Sequence, residues 1–142
     1  MKTKQSQIDT IGITLSDLAN PRLVLITAVT GGVTEANLQD PSNWTEASQY
    51  ATTNRPSLSG VIPQETSATD QGATMLLAWP SADVDLPAVT GSGITVVAAA
   101  VVDGTSALGS STKGRVSDIT DKTYAVGDVP RLSDFAWNTT EK

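Results

Sequence analysis

Ile94-Thr95-Val96-Val97-Ala98-Ala99-Ala100-Val101-Val102 is apolar at every position but Thr95. Alternate residues of a strand point to opposite faces. Ile94, Val96, Ala98, Ala100 and Val102 would therefore share one face, and Thr95, Val97, Ala99 and Val101 the other. Both sets are apolar or nearly so, the pattern of a central strand covered on both sides. Ala is the best helix former, so the Ala run by itself also fits a helix. The β-branched residues, the Gly91-Ser92-Gly93 lead-in and the Asp103-Gly104 exit favour the strand, because Asp and Gly tolerate the positive φ of tight turns. The stretch is about half as long as a membrane-spanning helix must be, which makes it a core element.

Working outward, Leu23 to Thr30 is a second strand apolar on both faces. It follows Pro21, which pushes Asn20 out of the helical region, and it ends at Gly31-Gly32. Residues 7–15 alternate Ile11, Ile13 and Leu15 against Gly12 and Thr14, as a half-buried strand does. Thr34 is placed to cap a short helical turn over 34–38. Asp40-Pro41-Ser42-Asn43 is turn chemistry, and 44–50 fits helix, strand or ordered loop. A short strand is expected near 58–62 and another over 74–79, stopped by Pro80. Residues 82–93 form a loop, 107–116 is the hairpin partner of the central strand, and 122–128 is a strand running into a turn. Residues 129–137 finish the fold, with Leu132, Phe135 and Trp137 as core or interface candidates. The sum is an all-β protein, an antiparallel β-sandwich of about seven or eight short strands in a single domain over 1–142. Residues 1–7 would be an N-terminal arm and 138–142 a C-terminal tail.

Composition narrows the chemistry. The chain has no cysteine and no histidine, which removes disulfides, Cys/His zinc sites, thiol nucleophiles and histidine-based triads. A net charge of −6 with scattered Lys and Arg speaks against nucleic-acid binding through phosphate contacts. Residues 1–7 carry positive charge with no apolar stretch after them, so an ordinary secretion precursor is not expected, and no segment predicts a membrane partner. No Ser-x-x-Lys or Gly-x-Ser-x-Gly sequence supports a hydroxyl nucleophile. Fifteen acids make chance carboxylate pairs inevitable, so pairs alone do not indicate glycosidase chemistry. The chain reads as a non-enzyme without a cofactor.

The remaining candidates are weighed against plainer roles. Asp83 and Asp85 sit on a loop where carboxylates could hold Ca²⁺, but Leu86-Pro87 follow where an EF-hand needs a further ligand and Gly. Solvated loop acids are the better reading, and the same holds for Asp118, Asp121 and Asp128; no metal site is expected. Trp44, Tyr50, Trp79, Tyr124 and Trp137 are too dispersed for a sugar-stacking platform and suit core anchors. Trp44, Tyr50 and Trp137 are the interface candidates. Trp44 and Trp137 stand in polar or irregular surroundings where large aromatics anchor contacts, and closing the ends of the core is the equal alternative. Asn43-Trp44-Thr45 and Asn138-Thr139-Thr140 match the glycosylation pattern without a secretion context.

The order of segments resembles a family of small virion structural proteins of tailed bacteriophages, of the capsid-decoration or tail-fibre-like kind. An early strand, Pro21 to Ala28, is followed by a Gly-rich stretch and the Tyr-centred Ser48-Gln49-Tyr50-Ala51-Thr52. Leu76-Leu77-Ala78-Trp79-Pro80 ends an apolar strand, and Gly93 to Gly104 frames the long central one. Ala107-Leu108-Gly109 and the Thr123-Tyr124-Ala125-Val126-Gly127-Asp128 turn come next, before a last strand over Leu132 to Trp137. The likeness covers most of residues 21–137, and the 34–47 region and the polar Gln64 to Gly72 loop depart from it. It implies a non-enzymatic protein present in many copies in the virion, assembled in the cytoplasm of the bacterial host. Its implied partners are a major capsid or tail protein and other copies of itself. A module of a tail or head fibre that binds a host-surface glycan or receptor is the alternative function.

Overall fold

The computed structural model describes residues 18–60, 75–79, 83–108, 112–132 and 137–141. The protein is mostly strand, with an antiparallel four-stranded sheet and little helix. Strand β1 (Pro21–Val29) leads through helix α1 (Glu35–Leu38) to β2 (Trp44–Glu46), and β3 (Met75–Trp79), β4 (Ile94–Asp103), β5 (Thr112–Tyr124) and β6 (Trp137–Glu141) follow. The main sheet runs in the order β2-β1-β4-β5, and β3 pairs with β6 in a separate two-stranded sheet. Among the described residues there are thus six strands in two sheets. The expected strand over 7–15, and residues 61–62 of the one near 58–62, lie outside the described residues. Ser57 makes one isolated bridge to Arg22.

The two apolar stretches do pair. β1 and β4 are antiparallel neighbours, in register from Pro21 opposite Asp103 to Ile26 opposite Ala98, and both are sealed on both faces. One face carries Leu23, Leu25, Val96, Ala99 and Val101, packed with Ala47, Tyr50, Leu58, Leu86, Val89, Tyr124 and Leu132. The other carries Val24, Ile26, Val29, Ala98, Ala100 and Val102, packed with Leu38 and Trp44. The cover on the first face comes partly from two extended segments tied to each other: Leu86 N–H donates to Pro130 C=O, Leu132 N–H to Val84 C=O, and Val89 N–H to Asp128 C=O.

Strict alternation along β4 does not hold. Val96 belongs with Ala99 and Val101, while Ala98 faces the opposite cluster. The change falls at a break in register between Val96 and Ala98, where residues 119–121 of β5 stand opposite Val97 alone. Such an irregularity bends the ladder locally. Nor does a hairpin partner stop at 116: residues 112–124 form one thirteen-residue strand with irregularities opposite Val96–Ala98 and Val101–Val102. Glycine and polar residues loosened the pattern without ending the strand. The last strand begins at Trp137 rather than ending there, so 138–141, expected as tail, pair with β3.

The smaller elements follow local chemistry. Thr34 caps α1 by accepting from Asn37 N–H, and Asp40 accepts from Ser42 N–H to open the Pro41–Asn43 turn. Gly104 closes β4 with φ +88°. Its N–H donates to Asn20 C=O, and Asp103 Oδ1 accepts from Asn20 N–H at 2.7 Å. Asp103-Gly104 therefore ends the strand as expected, although a longer connection than a tight hairpin leads on to β5.

Candidate functional site

The sheet does not stay whole along its length. Pairing of β1 with β4 ends at Ile26–Ala98, yet β1 runs on to Val29 and β4 starts back at Ile94. At the same level β1 and β2 slip register between Ile26 and Ala28, leaving Thr27 without an opposite residue, and β4 and β5 slip at Val97. Three irregularities in one row fork the sheet into two ribbons, β1–β2 and β4–β5. Between the ribbons lies an open hollow of about 410 Å³, lined by Thr27, Thr45, Glu46, Ala47, Ser48, Gly93, Ile94 and Thr95. Gly93 keeps the β4 side close to β5: a Cβ there would stand 2.9 Å from Tyr124 C=O, tighter than packing allows.

Hydroxyls dominate the polar lining. Thr27 Oγ1 donates to Thr45 C=O at 3.2 Å, and Thr95 and Thr123 share a hydroxyl–hydroxyl bond of 2.9 Å. The carboxylate is Glu46, held in a fork by Arg55: Nε donates to Oε1 at 2.5 Å and Nη2 to Oε2 at 3.0 Å. Arg55 is 1% exposed, and its Nη1 also donates to Gly104 C=O at 3.2 Å. Burying a guanidinium is costly unless it is paired and hydrogen-bonded, and here Glu46 supplies both. The hollow is thus electrically neutral despite its acid.

Side-chain bonds tie the far side of the β1–β2 ribbon to the loop before β4. Gln49 Nε2 donates to Ala88 C=O at 2.6 Å, and Gln49 Oε1 accepts from Thr90 N–H at 2.6 Å and from its hydroxyl at 3.1 Å. Tyr50 O–H donates to Pro87 C=O at 2.5 Å. Burial holds the Tyr50 phenol above its ordinary range, keeping the proton that this bond uses.

The sequence-derived candidates fall elsewhere. Trp44 is 6% exposed, sits in the second core cluster and donates from Nε1 to Leu38 C=O at 3.1 Å. Tyr50 is 1% exposed in the first. Both close the core of this chain, the alternative to an interface role, because each ring fills a cluster while its polar atom finds a backbone carbonyl. Trp137 stands opposite Trp79 in the β3–β6 pair. Trp44 and Tyr50 lie in different core clusters and are not brought together as one surface. Asp83 and Asp85 are taken up by Arg131: Nε donates to Asp85 Oδ1 at 2.8 Å, and Asp83 Oδ2 lies 3.8 Å from Nη1. That hydrogen bond holds the Asp85 carboxyl below its usual range, against a smaller opposing effect of burial. Asp128 accepts from Ala125 N–H and shapes a turn. Among the described residues no three His, Cys, Asp or Glu side chains gather as a metal site requires, and no helix is long and apolar enough to cross a membrane.

Arg55 and Glu46 had no distinguishing signal in the sequence, since an Arg and a Glu nine positions apart in an irregular stretch read as surface charges. The hollow had none either, because it arises from register slips. Compared with known proteins, the chain matches no family model, no curated protein and no solved structure, so its likeness to phage virion proteins rests on the order of its segments.

Proposed function

We propose that this chain is a non-enzymatic structural protein of a tailed-bacteriophage virion, decorating or stabilising the capsid or joined to the tail through repeated contacts. Its partners are then a major capsid or tail protein and other copies of itself. The observation that carries this reading is the turn after β5. Val126 is 57% and Val129 49% exposed, although both sheet faces beside them are sealed. The turn is held firmly: Asp128 N–H donates to Ala125 C=O, Gly127 N–H donates to Val89 C=O, and Asp128 Oδ2 accepts from Ala125 N–H. A rigid loop that offers two apolar side chains has little entropy to lose on docking, which suits a protein contact. β5 adds support as an edge strand with no strand on its outer side among the described residues, because such edges are covered or guarded in folded proteins.

The same reading takes the architecture as one β-sandwich of seven or eight strands, with the four-stranded sheet as one layer. The tied segments 84–89 and 127–132, which supply core to one face of that sheet, support it. The test is the mass of the purified protein in solution, alone and with virion particles. A defined oligomer, or saturation of particles at a fixed stoichiometry that Val126→Asp with Val129→Asp abolishes, is expected. A monomer that ignores particles overturns the reading.

A further inference from the structure

We infer that the hollow in the forked sheet is a binding site for a neutral, polyhydroxylated ligand of the size of a mono- or disaccharide. Its volume of about 410 Å³ falls within the range of roughly 300–1,000 Å³ common to small-molecule sites. Its chemistry is selective. Of its lining residues Thr27, Thr45, Ser48 and Thr95 carry hydroxyls and Ile94 is a half-buried apolar residue, matching the mixed C–H and O–H character of a sugar. A hydroxyl has one donor and two acceptor positions. Thr27 therefore keeps acceptor capacity after donating to Thr45 C=O, and among the described residues no bond engages the Thr45 or Ser48 hydroxyl.

Charge narrows the class further. Glu46 is neutralised in place by Arg55 through two bonds, so no unpaired cation in the lining calls for an anion. The net charge of −6 adds a field that disfavours sulfated or sialylated ligands. The walls are also set in advance, because the slips at Thr27 and Val97 are built into the strand registers, and preformed sites bind with less ordering cost. This site stands independently of any place in a virion, since it uses neither the Val126–Val129 turn nor the β5 edge.

The test is titration with a panel of neutral hexoses, N-acetylhexosamines and their disaccharides, followed by ligand-observed NMR and calorimetry, with sialic acid and a sulfated disaccharide as charged comparisons. At least one neutral sugar is expected to bind in preference to both charged ones. Thr95→Val, which keeps shape and removes the hydroxyl together with its exposed bond to Thr123, and Ser48→Ala, at an exposed position, are each expected to weaken that binding at least tenfold, the second with unchanged melting temperature. The inference is overturned if no neutral sugar binds, if the charged sugars bind better, or if both variants bind as tightly as the parent. Particle binding, measured separately, reports on the structural role and leaves this outcome distinct.

Discussion

Two arginine–carboxylate forks in this molecule have nearly the same geometry and opposite surroundings. Arg55 meets Glu46 with both side chains almost wholly buried, whereas Arg131 meets Asp85 with about half of each side chain in water. In the first pair, water has been removed from both charges, and among the described residues the partner and Gly104 C=O replace it at the guanidinium. In the second, water competes for every bond and screens the attraction. Contact distance therefore ranks the pairs as similar, and burial ranks them far apart. The difference also reflects topology. Arg55 follows a turn between two stretches that dock on the outer edge of β1, β2 and the Pro56–Leu58 segment, so its side chain has no route to solvent. Arg131 lies on one of two mutually paired loop segments.

The comparison can be broken most directly by removing one partner. Arg55→Ala leaves Glu46 buried and unpaired, and is expected to lower unfolding free energy by about 3–5 kcal/mol in urea denaturation. The double change Arg55→Met with Glu46→Leu is expected to recover most of that, since apolar groups of similar volume need no partner. If the single and double variants are equally unstable, packing rather than charge explains Arg55. Next in size is Tyr50→Phe, which strands Pro87 C=O without changing ring packing and is expected to cost about 1 kcal/mol by the same assay. A gain is expected from the turn that delivers Arg55: Thr52 has φ +50°, unfavourable for a β-branched residue. Thr52→Gly should raise stability by up to about 1 kcal/mol, and no change in melting temperature would count against strain there. The smallest effect belongs to the exposed fork. Asp85→Asn is expected to leave the melting temperature almost unmoved at neutral pH. Because the folded carboxyl titrates below its unfolded range, the stability it adds is present above the unfolded pKa and is lost as pH falls through the folded one. The parent and Asp85→Asn stability curves should therefore converge in acid, and curves that stay parallel there contradict the assignment.

What could be read from residue order was the two-sided apolar pattern of β1 and β4, because burial on both faces leaves no polar positions to confuse with a surface strand. Thr34, Asp40 and Asp103-Gly104 were legible as caps and turns, since their chemistry is local. The parity change at Val97 was not, because Ala and Val fit either face and nothing local marks where the neighbouring strand carries extra residues. β5 looked like two strands because Gly114 and the polar residues on either side of Ile119 resemble a break. The hollow depends on the same slips in pairing, which involve residues far apart in sequence. Trp44, in polar surroundings, left interface and core equally open and Tyr50 was an interface candidate; both turn inward, since each polar atom reaches a carbonyl on an irregular or distant segment.

The fork has a mechanical consequence. Above Ile26–Ala98 no ladder of backbone bonds couples the β1–β2 ribbon to β4–β5, so shear stiffness between them rests on a latch made by Gln49 and Tyr50 on the 87–90 loop. A ladder fails cooperatively, bond after bond, whereas a latch of side chains loosens by single substitutions. A pull on the Val126–Val129 turn passes to the 87–90 loop through the backbone bonds of Val89 with Gly127 and Asp128, and from that loop to the β1–β2 ribbon through the latch. The compliance of this end of the protein thus depends on two side chains, one of which, Tyr50, also belongs to the core.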